Sequence, residues 1–288
     1  MKFFIVDVFA ASKYQGNPLA VLIPDREINT TEMQQIAKEI NFSETAFIMS
    51  GKQADGGYNV RIFSPDVELP FAGHPTLGTA FVISQVYESG LATKILLNLS
   101  VGQIPVTIDE NELTMKQNQP TFGRIFTDSS DVTAMLSLQM SDIDERYPIQ
   151  VVSTGLPSLI IPVKTLAALQ KCRVHHELYQ AFLDHQLKAN VLLFTPGENG
   201  SSIQLHVRVF VDESGFFEDP ATGSANGNLA AYLLSHQYFG LSKTHYHVVQ
   251  GVEMGRPSLI NVDAELDADE FQLYVGGKVF FVAKGDWD

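Results

Sequence analysis

The sequence predicts a mixed α/β protein in which one strand–loop–helix unit is used twice, and three observations lead there. The stretch Arg61–Ile83, RIFSPDVELPFAGHPTLGTAFVI, is echoed by Arg208–Leu234, RVFVDESGFFEDPATGSANGNLAAYLL. Gly73-His74 and Gly223-Ser224 stand 150 residues apart, and so do Gly90 and Gly240, which close the apolar segments that follow. Those two segments are apolar nearly all round, the pattern of a helix buried on every side. Each begins at a plausible N-terminus, with Pro75 expected at the first helical position of one and Ser224 as a capping residue of the other.

Taken in order, Phe3–Phe9 reads as a strand, Gly16-Asn17-Pro18 breaks it, and Leu19–Ile23 is its partner. Thr31 and Gln34 have capping-box form, and Met33, Ile36, Ala37 and Ile40 follow at helical spacing. Asn41–Met49, read as a strand, puts Phe42, Glu44, Ala46 and Ile48 on one face, which sets a carboxylate on an otherwise apolar surface. Lys94–Leu99, Ile104–Ile108 and Glu112–Lys116 read as strands, and the polar run Gln117–Ser130 as a crossover between domains. The second half reopens with Val151–Val163. A helix over His176–Leu187 and a buried-type strand over Asn190–Thr195 follow. That strand occupies the place of Asn41–Met49 but brings no acid. Gly251–Pro257 is turn-rich, and Lys278–Ala283 is a final strand that can return to the first domain. The expected division is a first domain over residues 1–117, joined again by 278–288, and a second over 118–277.

Composition narrows the function. The formal net charge of −14 leaves too few Lys and Arg for a basic face, which argues against nucleic acid or an anionic membrane as partner. An acidic protein that binds a small anion has to use local dipoles, and two glycine-preceded helix starts supply them. The lone Cys172 excludes an internal disulfide, suits a reducing compartment, and lies away from the glycine loops. Asp7 interrupts the N-terminal apolar run too early for a secretory signal, and no stretch has the length of a membrane span, so a cytoplasmic protein is expected.

The candidate chemistry sits at the two echoes. His74 can cap its helix, or donate to an anion and shuttle a proton there. Glu218 and Asp219 can be ordinary first-turn acids, though two together before Pro220 and Gly223-Ser224 are more than a solvated loop needs. Glu44 can bond a backbone amide at a strand end; alternatively, burial raises its pKa and makes it a proton carrier. His245 and His247, or His175 and His176, lack a third ligand at a metal-binding spacing, so no metal is expected. No glycine-rich nucleotide motif is present. A Ser224–His74–Asp219 hydrolase would lack the nucleophile elbow.

The stretches GNPLAV, FSETAF, FSPDVELPFAGHPTLGTA, EDPATGSANG and QGVEMGRPS run from Gly16 to Ser258, and through them the chain resembles the PhzF-like phenazine-biosynthesis family of the diaminopimelate-epimerase and proline-racemase fold. The resemblance implies two pseudo-symmetric domains, each a curved, largely antiparallel sheet wrapped around a central helix, with an active site in the cleft between them. It also implies a homodimer, no cofactor, and proton transfer on a small carboxylate-bearing substrate. Where the racemases carry their two cysteines this chain has Ala72 and Thr222, so a two-thiol mechanism is not available. The resemblance makes Glu44, His74 and Asp219 the catalytic group. Ser224, with the amides of Gly73 and Gly223, becomes the anchor for the substrate's anionic group.

Overall fold

A computed structural model of the chain describes residues 1–185, 188–198, 202–213 and 216–288. They form two compact α+β units rich in sheet. One comprises Met1–Lys116, Arg256–Leu259 and Gly276–Asp288; the other comprises Gln117–Gly255 and Ile260–Val275.

In the first unit the strand Lys2–Val8 lies antiparallel to Asn17–Ile23 on one side and to the chain's last strand, Glu270–Asp286, on the other. Asn17–Ile23 pairs in parallel with Thr45–Ile48, which pairs antiparallel with Tyr58–Phe63. That strand runs parallel to Lys94–Leu99, and two antiparallel steps through Gly102–Asp109 reach Glu112–Lys116. Glu112–Lys116 pairs back with the last strand, so the ladder is a closed circuit. The helix Gly73–Tyr87 connects the parallel strands Tyr58–Phe63 and Lys94–Leu99, as a parallel pairing requires of its crossover. Every residue from His74 to Ser84 is buried, as the unbroken apolar run predicts. Gly78 shows how closely this helix meets the sheet: a Cβ there would lie 2.6 Å from Leu19 and 2.9 Å from Val8.

The other parallel pairing, between Asn17–Ile23 and Thr45–Ile48, is crossed by the amphipathic helix Thr30–Ile40. Its Met33, Ile36 and Ala37 pack with Phe47 and Phe63. The expected capping box at Thr31 and Gln34 is displaced. Asn29 is the cap, accepting from the Glu32 amide at 2.9 Å, and Gln34 donates to the Ser64 carbonyl. The helix ends on Asn41 in the left-handed region, at φ 55°, a conformation asparagine tolerates better than most residues. The strand that follows is therefore only Thr45–Ile48, and Glu44 sits in the turn before it rather than within the ladder.

In the second unit the strand Thr121–Phe126 pairs antiparallel with Ile149–Ser153, and that strand with Pro157–Pro162. The predicted crossover Gln117–Ser130 thus contains a strand. Its residues are exposed up to Ile125, so no apolar alternation marks it. Pro157–Pro162 runs parallel to Asn190–Pro196, with the helices Leu166–Lys171 and His176–His185 between them. Positions 186 and 187 of the helix expected to run to Leu187 lie outside the described residues. Asn190–Pro196 pairs antiparallel with Ile203–Glu213, which pairs with Phe216–Asp219 and, in parallel, with Lys243–Gln250.

A second buried helix, Gly223–Ser235, crosses over between those parallel strands, and Gly223 to Leu234 are all buried. A deep polar anchor of this helix is satisfied on both sides. Asn228 accepts from the Thr154 amide and hydroxyl at 2.7 and 2.9 Å, and donates to the Leu156 carbonyl and Ser158 hydroxyl. Cys172 is fully buried, and burial pushes its thiol up to about 12, so it is packing material rather than a nucleophile.

Candidate active site

The two buried helices begin differently from the expectation. Their N-caps are Ala72 and Thr222, and neither side chain caps the helix. Pro75 is the third helical residue and Ser224 the second, so neither fills the position assigned to it above. The correction matters for chemistry, because the first amides of each helix are left without a capping side chain.

At the first helix start, His74 is 4% exposed, and its Nε2 faces Glu44 Oε2 at 3.5 Å. The Glu44 side chain is itself only 13% exposed. The turn after Asn41 delivers the carboxylate here, at the mouth of the parallel strand pair. Asn17 stands on the other side of the imidazole, its amide nitrogen 3.1 Å from Nδ1, and Ser43 donates to the Asn17 carbonyl oxygen at 3.4 Å. With Nδ1 tied back, Nε2 is the nitrogen presented to Glu44. Burial pushes the His74 imidazole down to about 3, so the ring is neutral at physiological pH. It faces Glu44 as a polar group without charge.

The loop that leads into Asn17 is held by an ion pair between the buried Asp7 and the partly exposed Arg256. Arg256 donates to Asp7 at 2.7 Å and to the carbonyls of Gln15 and Gly16, and Asp7 also accepts from the Tyr14 amide.

At the second helix start the two adjacent acids part company. Glu218 accepts from Nε and Nη2 of Arg208, both at 2.8 Å, in a buried bidentate pair. Asp219 instead accepts from the Thr222 hydroxyl at 2.5 Å. Gln250, at the end of its strand and fully buried, donates to the Asp219 carbonyl at 2.7 Å and to the Thr222 hydroxyl at 3.0 Å. Gly223 and Ser224 follow as the first two residues of the helix, both buried.

The structure thus brings Glu44 and His74 together in the first unit, and gathers Asp219, Gly223 and Ser224 around one helix start in the second. Sequence reasoning passed over Asn17 and Gln250. Both lie in stretches that carried the resemblance, but Asn before Pro reads as a turn and a lone Gln carries no chemical signature. Residues 6–285 match the family described as phenazine biosynthesis-like protein. The chain belongs to this family.

Among its relatives in the family, an uncharacterised isomerase of Clostridium acetobutylicum is 32% identical, covering 98% of this chain and 96% of its own. Trans-2,3-dihydro-3-hydroxyanthranilate isomerase of Pseudomonas chlororaphis is also 32% identical, over 93% of this chain and 92% of its own. A PhzF-family phenazine biosynthesis protein of Bacillus anthracis shares the structure with a TM-score of 0.88, at 26% identity over 99% of this chain and 98% of the other. A protein described as a probable proline racemase, from Agrobacterium radiobacter, shares the fold at 10% identity, with a TM-score of 0.65 over 100% of this chain and 92% of the other. The protein is an isomerase by family, of the α+β architecture common to these folds. No helix among the described residues is long and apolar enough to cross a membrane.

Proposed function

We propose that this protein is a cofactor-independent isomerase that moves a proton between two carbons of a small, cyclic, carboxylate-bearing substrate of the dihydro-hydroxyanthranilate type. The observation that carries the reading is the buried carboxyl of Glu44 set 3.5 Å from the neutral imidazole of His74. Relatives named trans-2,3-dihydro-3-hydroxyanthranilate isomerase support the substrate class.

In this reading the ionised Glu44 takes a proton from a ring carbon. The electron pair left behind shifts through the adjacent double bonds, and the protonated Glu44 returns the same proton to another carbon, so substrate and product are isomers. With Nδ1 accepting from the Asn17 amide, the neutral His74 carries its proton on Nε2 and donates toward the Glu44 carboxylate. Asp219 is a second polar partner, facing a donor group of the substrate. The amides of Gly73 and Gly223, with the Ser224 hydroxyl, hold the carboxylate by the uncapped helix ends. The functional particle is a homodimer with no nucleic-acid or membrane partner.

The test is direct: the purified protein is incubated with trans-2,3-dihydro-3-hydroxyanthranilate and the ring protons are followed by NMR. Isomerisation that Glu44→Gln abolishes supports the proposal. A protein that leaves the compound untouched, under conditions where a relative of that name converts it, contradicts the substrate class.

A further inference from the structure

We propose that Gln250 is a positioning residue that acts through the Thr222 hydroxyl to hold the Asp219 carboxylate in its working direction. The inference rests on the reading of Asp219 as a substrate partner and deepens it.

Thr222 does not do what its position invites. Threonine is a preferred N-cap residue because its hydroxyl can accept from the second or third amide of the helix. Thr222 stands at the N-cap of Gly223–Ser235, yet it makes no such bond. Its oxygen lies 2.5 Å from Asp219 Oδ2 and 3.0 Å from Gln250 Nε2. A hydroxyl has one proton to give. The Gln250 amide nitrogen is a donor and takes a lone pair of the hydroxyl oxygen, so the single proton is directed to the carboxylate.

The direction of the Gln250 amide is itself fixed by four groups. Its nitrogen donates to the Asp219 carbonyl at 2.7 Å as well as to Thr222. Its oxygen accepts from the Thr222 amide at 3.3 Å and from Asn226 Nδ2 at 3.0 Å. The Asn226 amide is oriented in turn by the Thr222 carbonyl, to which it donates at 2.9 Å. Turning the Gln250 amide over would set oxygen against the Asp219 carbonyl and nitrogen against two donors. A fully buried side chain has no water to relieve that exchange. The chain of bonds therefore has one polarity, from Gln250 to Thr222 to Asp219.

Chemically, Asp219 receives a donor from the protein on Oδ2, which suits it to accept hydrogen bonds rather than to carry the migrating proton. That sorts the roles within the candidate group. Glu44 moves the proton. Asp219 is a fixed acceptor, suited to a hydroxyl or amino group on the substrate ring.

The experiment compares Gln250→Leu, Thr222→Val, Thr222→Ser and the Gln250→Leu/Thr222→Val double variant. It uses crystal structures and steady-state turnover of trans-2,3-dihydro-3-hydroxyanthranilate. The expected result is that Asp219 leaves its position in Gln250→Leu and in Thr222→Val. Each loses roughly 10- to 100-fold in kcat/KM, as for a displaced catalytic contact. Thr222→Ser recovers most of the loss, and the double variant is no worse than either single one because both act on the same link. An Asp219 carboxylate that keeps its place in both variants overturns the inference, as do losses that multiply in the double variant. Should Gln250→Leu not fold, Gln250→Met, which keeps the length and removes the amide, takes its place. If the wild-type protein does not turn the compound over, the functional reading fails on that result, while the crystal structures still decide whether Gln250 positions Asp219.

Discussion

The two helix starts share a backbone plan and differ in what they do with it. In each unit a strand that contains Arg-x-Phe leads through an acidic stretch to a buried helix whose N-cap side chain does not cap it. In each, the arginine grips a glutamate of that loop with two nitrogens, Arg61 with Glu68 and Arg208 with Glu218. The surroundings then diverge. Arg61 and Glu68 are 29% and 38% exposed, whereas Arg208 and Glu218 are 5% and 16% exposed, and Arg208 also donates to the carbonyls of Leu169 and Cys172. The first start is flanked by Glu44; the strand in the corresponding place of the second, Asn190–Pro196, is preceded by Lys188 and Ala189. The difference teaches that a duplicated framework can keep its scaffolding pair in both copies while a largely buried acid beside the helix start is supplied in one.

The largest expected effect falls on that asymmetry. Glu44→Gln preserves shape and hydrogen-bonding reach but cannot cycle a proton, and turnover should fall by ~10²–10⁴ with a smaller change in substrate binding. Asp219→Asn should cost less in kcat and more in KM. Equal loss of kcat in both variants would erase the division of labour between the two halves.

The scaffolding pairs sharpen the comparison on the side of stability. Arg208→Ala strands a buried glutamate and two carbonyls, and should destabilise the protein by about 3–5 kcal/mol in denaturant unfolding. Arg61→Ala removes a partly exposed pair and should cost about 1 kcal/mol or less. A similar cost for the two would mean that burial does not distinguish them.

His74 gives a pH signature of the first helix start alone. An imidazole held to about 3 in the folded protein, against an ordinary 6.5, leaves the unfolded chain to bind the proton first. Stability from this group is therefore complete above pH 6.5 and is lost as pH falls toward 3, with a limiting slope of about 1.4 kcal/mol per pH unit. Unfolding measured between pH 7 and 4 should show a shallower decline in His74→Asn than in the wild type. An unchanged decline would place the titrating group elsewhere.

A further expected effect concerns the two helix starts as candidate anion sites. Gly73→Val and Gly223→Val should each weaken binding of a small carboxylate such as anthranilate by about tenfold, or roughly 1.4 kcal/mol, in calorimetry. Undiminished affinity in both would remove the helix starts from the site.

Much of the fold was legible in the sequence where one physical signal dominates. The helix Gly73–Tyr87 is apolar on every side because it is enclosed by strands, and the hairpins from Lys94 to Lys116 are marked by turn residues between alternating runs. Thr121–Phe126 was not legible, because an exposed strand carries no hydrophobic period. Asn29 displaced Thr31 as a cap because two adjacent capping sequences compete and tertiary packing chooses the register. The pairing of Glu44 with His74 was legible only as two odd placements 30 residues apart, since no periodicity reports that a turn and a helix start meet. Gln250 was invisible for a related reason: its role is defined by three residues, none of which is near it in sequence.

The central claim is that Glu44 takes a proton from the substrate and returns it to a different carbon. The most direct measurement is conversion of trans-2,3-dihydro-3-hydroxyanthranilate deuterated at the migrating position, in ordinary water, with the product's isotope content read by mass spectrometry at early times. The account predicts isotope retained at the new carbon or partly washed out to solvent by the wild-type protein, and neither migration nor washout by Glu44→Gln. Normal isotope transfer by Glu44→Gln would contradict it.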